Sequence, residues 1–176
     1  MMDFQTRRRL TLKAAAQAEK VRVKCKQKQA DPVDPITVAE ERGCEVRFMS
    51  LPSLEGIYSP EPRSIIVLGS ERHAGRRAFT CAHELGHHEF KHGMRVEELH
   101  TGGHESSNDV NEFLADMFAA TLLMPKAGVL RALKTRNFDL KKIQPIQLFR
   151  LASFFGVGYG TLIEHMTWTL SLLTSQ

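Results

Sequence analysis

Cysteine is scarce in these 176 residues: there are three, Cys25, Cys44 and Cys81. The number is odd and no Cys-x-x-Cys pair occurs, which argues against a disulfide framework and for a reducing, cytoplasmic setting. Long apolar runs are also missing. The longest, residues 117–124, falls far short of the roughly 20 residues a helix needs to cross a bilayer, so no membrane partner is expected. The arginines near the N-terminus have no apolar stretch behind them, so no secretory signal is expected. Internal repeats and low-complexity tracts are lacking. The length allows one domain with a real core and excludes two large ones.

A basic body is lacking too. The net charge is +4, yet residues 1–30 hold nine Lys/Arg against two acids, and residues 31–176 hold fifteen against eighteen. The positive charge belongs to a basic N-terminal helix or arm over residues 1–30, and the remaining 31–176 form the main domain. Direct nucleic-acid binding by that domain is therefore not expected. Within the arm, Leu10, Ala14, Ala18, Val21 and Cys25 recur at spacings of three and four. They predict a helix over residues 6–29 that docks through one apolar stripe and leaves a solvated basic face.

Asp31-Pro32-Val33-Asp34-Pro35 ends that helix. A short helix follows over residues 36–42, closed by Gly43. Residues 46–49, 56–59 and 64–68 read as strands, the last two as a hairpin across Pro60-Glu61-Pro62. The unbroken apolar run 64–68 predicts a strand buried on both faces. From there the pattern is helical: residues 76–90, a helix capped by Asn108 or Asp109 that stops at Pro125, then 127–136 and 144–173. Residues 93–107, rich in Gly, Ser and His, read as a long loop.

His83-Glu84-Leu85-Gly86-His87 lies within the predicted helix 76–90. Four residues is about one turn, so both imidazoles leave the same face toward a single ion. Glu84 stands beside them, near enough to take a proton from a metal-held water without being a ligand. Two imidazoles and a carboxylate suit catalytic zinc, which uses three protein ligands and keeps one position open. A metzincin would carry Gly at 90 and His at 93. Here stand Phe90 and Gly93, and His92 is off that register by one. The third ligand is then sought on the next helix, where Glu112 lies one turn in. Asp116, four residues on, can orient the ring N–H of His83 or His87. The bland reading of Glu112 is a first-turn acid favoured by the helix dipole. The other histidines read as surface or core residues, with His100 or His104 a candidate oxyanion partner, and Cys81 reads as core.

These residues resemble a known family. The stretch from Gly75 to His87 resembles the zinc motif of the ImmA/IrrE metallopeptidase domain. Glu112 to Pro125 is similar to its second signature, E-x-x-A-x-x-F-A-x-x-L-L-M-P. Gly56-Ile57-Tyr58, residues 65–68 and residues 151–157 also fit, so the likeness covers about residues 35–166. Gly158 and His165 stand where the family often has Ser and Arg. The resemblance implies an α+β fold, with a small antiparallel or mixed sheet of about three strands packed on a mostly helical, zincin-like metallopeptidase domain. It implies His83, His87 and Glu112 as zinc ligands and Glu84 as base. It also implies a helix-turn-helix repressor as substrate, cut to derepress genes of mobile elements or stress responses.

The expected reaction is metal-assisted peptide hydrolysis with the substrate strand added to the sheet at residues 64–68. Two other functions compete. One is a non-catalytic, zinc-containing module that binds a repressor stoichiometrically, in the manner of an antitoxin. The other is a DNA-binding regulator, since residues 148–166 have a helix-turn-helix rhythm; Arg150 is the stretch's only Arg or Lys, which favours a packing hairpin.

Overall fold

The computed structural model describes residues 2–98 and 109–173. The first helix, α1 (Phe4–Lys24), starts at Asp3, whose carboxylate accepts the Thr6 N–H at 2.9 Å. Its stripe of Leu10, Ala14, Ala18, Val21 and Cys25 is buried and packs on α4 (Val110–Leu123), while most of its cations face outward. The two alanines on the seam let the helix axes approach closely.

Arg22 is the exception to the solvated basic face. It is 1% exposed, and its guanidinium donates to the carbonyls of Leu122, Lys28 and Asp31. One side chain thereby closes the end of α4 and shapes the linker after α1. Glu89 plays a similar part at the end of α3 (Ala74–Phe90), accepting from Gln17 at 2.7 Å and Arg42 at 2.6 Å. It ties α1 and α2 (Pro35–Glu41) to that helix.

The expected hairpin forms: β2 (Leu54–Ser59) runs antiparallel to β3 (Ile65–Gly69). β1 (Glu45–Met49) lies parallel to β3 on its other side. Ile66 and Leu68 are fully buried and Ile65 and Val67 partly so, as an apolar central strand requires. The sheet is mixed, with four strands in the order β1-β3-β2-β4 rather than about three. The added strand is β4 (Arg95–Glu98), in the stretch read as loop. Its four residues carry three charges and have no strand signature of their own; pairing with β2 creates it.

Helix α3 packs against β2, β3 and α4, so the sheet covers one side of it and α4 the other. After Met124, α5 (Lys126–Thr135), α6 (Pro145–Phe155) and α7 (Tyr159–Glu164) complete the fold, with a π-helical turn at His165–Thr169. The last two helical segments cross at 101°. They bury Leu148, Leu151, Phe155, Leu162 and Met166 as a packing hairpin. One helical stretch among the described residues, Val110–Thr135, has the length and hydropathy of a membrane span, longer than the apolar run noted in the sequence. Within its apolar window 67% is buried inside the fold, because α4 is the central core helix.

Candidate metal centre

The centre forms where α3 meets α4. The contact is made by small residues: a Cβ on Gly86 would lie 3.0 Å from the Ala115 Cα and 3.2 Å from a Phe118 ring carbon. Glycine between the two motif histidines thus lets α4 approach until Glu112, three residues before Ala115, reaches the imidazoles. His83 Nε2 lies 2.9 Å from His87 Nε2, and Glu112 Oε2 lies 3.2 and 3.4 Å from the two. The three donor atoms fall within 4.8 Å of one another. Bonds of about 2.0–2.2 Å to a tetrahedral ion set neighbouring donors about 3.3–3.6 Å apart, close to this spacing.

Tautomer chemistry strengthens the fit. Asp116 Oδ1 lies 2.9 Å from His83 Nδ1. An ionised carboxylate only accepts, so Nδ1 carries the proton and a neutral His83 turns a bare Nε2 lone pair to His87 and Glu112. Such a convergence of acceptors calls for positive charge between them. Without an ion, a proton answers it. Burial opposes charge on His83, but Glu97, Asp116 and Glu112 outweigh it and push that histidine well above its ordinary value. Hydrogen bonds with His83 and His87 hold Glu112 well below the carboxylate range. His87, with burial dominant, is lowered.

Glu84 is fully buried, and neither carboxyl oxygen has a hydrogen-bond partner among the described residues. Its carboxylate lies against Gly56 of β2. Burial, with Glu97 and Glu112 adding to it and His83 opposing, pushes its carboxyl up to about 8. A proton acceptor in that range is well matched to moving protons near neutral pH.

Three further residues crowd the centre. The pairs Tyr58–Arg95 and Gly56–Glu97 place Arg95 and Glu97 on the sheet face turned to α3. Arg95 Nη1 lies 3.9 Å from Glu112 Oε1. Glu97, raised by burial, has one carboxyl oxygen shielded from water and unpartnered among the described residues. The third is His92, whose Nδ1 lies 3.0 Å from His87 Nδ1. In the sequence, the charged alternation Arg95-Val96-Glu97 was the one sign of an inward-facing pair, and it is too short to outweigh the Gly- and Ser-rich surroundings. His100 and His104 lie outside the described residues.

A mixed sheet over a helix bearing His-Glu-x-x-His, with a glutamate returned from the next helix, defines the H-E-x-x-H class of metallohydrolase domains. Residues 39–167 match the peptidase M78 family, described as the IrrE N-terminal-like domain, and the chain belongs to that family. No curated protein matches the chain. The resemblance noted in the sequence and the family match agree, and the chain is a peptidase-family domain with a candidate His/His/Glu metal site.

Proposed function

We propose that this chain is a zinc-dependent endopeptidase of the cytoplasm that cuts a helix-turn-helix repressor, and so switches on genes of a mobile element or a stress response. The observation that carries the reading is Glu84: a buried carboxyl with no hydrogen-bond partner among the described residues, one residue from a donor of a three-donor cluster. A purely structural metal site has no use for such a group. Two imidazoles and one carboxylate favour zinc over harder cations. The three cysteines are free and buried, in keeping with a reducing compartment.

Held by His83, His87 and Glu112, zinc would polarise the scissile carbonyl and lower the pKa of its water. Glu84 takes a proton from the attacking water and returns it to the leaving amine. Asp116 holds the His83 ring. The substrate strand cannot add at residues 64–68 as the sequence suggested, because β3 is paired on both sides. Among the described residues the sheet's edge strands are β1 and β4, and of these two β4 carries side chains into the centre. Its outer edge is therefore the assigned track for an extended substrate.

The test uses the zinc-loaded chain and a candidate helix-turn-helix repressor, sought first among the neighbouring genes. Wild type yields two fragments whose masses sum to the parent plus one water. Glu84→Gln, with its zinc content verified, slows this by on the order of 10²–10⁴. An intact repressor after long incubation with wild type overturns proteolysis in favour of a stoichiometric binder.

A further inference from the structure

His83 and His87 need the same thing from their outer nitrogens and obtain it differently. Each must keep its proton on Nδ1 if Nε2 is to face an ion, and metal-binding imidazoles secure this by donating Nδ1–H to a fixed acceptor. For His83 the acceptor is Asp116, from α4. The Nδ1 of His87 has no carboxylate hydrogen-bonded to it among the described residues. Its partner is His92 Nδ1, at 3.0 Å.

The position of His92 is built by the way α3 ends. Lys91 takes the left-handed conformation, with φ +57°, and turns the chain back on itself. The His92 N–H then donates to the His87 carbonyl at 3.0 Å. The His92 ring stacks on Phe90, with centroids 5.5 Å apart and planes 17° apart. Phe90 in turn meets Phe118 of α4 edge-on. Backbone, stack and ring nitrogen are thus all constrained, and the same turn that stops the helix sets an acceptor behind its last donor.

We infer that His92 is a positioning residue for the metal centre: its Nδ1 accepts the His87 Nδ1–H, fixing the tautomer and orientation in which His87 offers Nε2 to the ion. The inference rests on the metal-centre reading above. It assigns His92 its own proton on Nε2. A neutral acceptor behind His87 and a carboxylate behind His83 make the two imidazoles unequal, with less negative charge placed on the His87 side.

Two variants separate the hydrogen bond from the stack. His92→Phe keeps an aromatic ring on Phe90 and removes the acceptor. His92→Asn returns an acceptor oxygen near the place of Nδ1. Zinc affinity is measured by competition with a chromophoric chelator, and ligand geometry by the visible bands of the cobalt(II)-loaded protein. His92→Phe is expected to bind zinc 10–100-fold more weakly and to change the cobalt spectrum. His92→Asn is expected to recover most of both. In the zinc-loaded wild type, nitrogen NMR should find His87 as the Nδ1–H tautomer, a readout that needs no mutant to fold. Unchanged affinity and spectrum in His92→Phe overturns the role of His92 alone, whereas an Nε2–H His87 with zinc bound removes His87 from the donor set and overturns the metal centre as well. A wild-type chain that retains neither zinc nor cobalt overturns the metal centre itself, and His92's role with it.

Discussion

Gly56 of β2 stands directly against the carboxylate of Glu84. A Cβ at position 56 would lie 3.0 Å from Glu84 Oε1 and 2.6 Å from Thr80 Cγ2, closer than side chains tolerate. The space in which the proposed base sits is therefore cut out of a strand, at a residue without a side chain. Gly56→Ala must push Glu84 or Thr80 aside. The expected result is a loss of peptide hydrolysis of at least tenfold, with zinc content unchanged because no donor is touched. Overpacking is expected to cost about 1–3 kcal/mol, read from the urea midpoint. Full activity in Gly56→Ala would show that Glu84 has more freedom than this packing allows.

Metal-free stability should fall as pH rises, and Glu84 gives the direction. Its carboxyl is raised by burial to about 8 in the folded chain. An unfolded glutamate titrates near 4.3. Between these values the folded state holds a proton that the unfolded state has released, so unfolding becomes easier with each step upward, until the slope ends near pH 8. Glu84→Gln cannot release that proton. The chelator-treated variant should therefore gain on chelator-treated wild type as pH climbs from 5 to 8, by an amount on the order of a few kcal/mol. Parallel urea titrations at the two ends of that range test it; a constant difference would refute the shift.

Chelation should stop hydrolysis and lower the melting temperature, and zinc should restore both. Ligand linkage gives about 2.7 kcal/mol of added stability at a free zinc concentration one hundred times the dissociation constant. Asp116→Asn keeps the shape of the acceptor behind His83 but removes its charge. A loss of 10–100-fold in zinc affinity is expected, measured by the same competition assay.

Arg22 makes a prediction remote from the centre. Its guanidinium satisfies three carbonyls in a buried setting. Arg22→Met leaves those oxygens without that donor and is expected to cost roughly 2–5 kcal/mol of stability. Zinc affinity measured under conditions where the variant remains folded should be unchanged.

The centre's main parts were legible because helices announce themselves. The four-residue steps from His83 to His87 and from Glu112 to Asp116 express one turn each, and a turn is local. The docking stripe of α1 was legible for the same reason. What escaped was whatever depends on pairing at a distance. β4 exists because β2 offers it an edge, so Arg95 and Glu97 gave no strand signal, and β3 could be recognised as buried without its central place being known. Arg22 escaped because a basic helix suggests solvent on that face, and carbonyls contributed by α4 and the linker reverse the expectation at one position. His92 was weighed as a ligand and set aside; its place behind His87 depends on the left-handed turn at Lys91, for which a lysine is a poor advertisement.

The family match begins at residue 39, well after α1 has ended. Yet α4, the source of Glu112, leans on α3 in front and on α1 behind. Cutting the chain at the edge of its kinship would strip the rear wall from a donor-bearing helix and leave oily surface bare to water. Ancestry and mechanical integrity draw different borders here, and the unit that must be made, purified and assayed is the larger one.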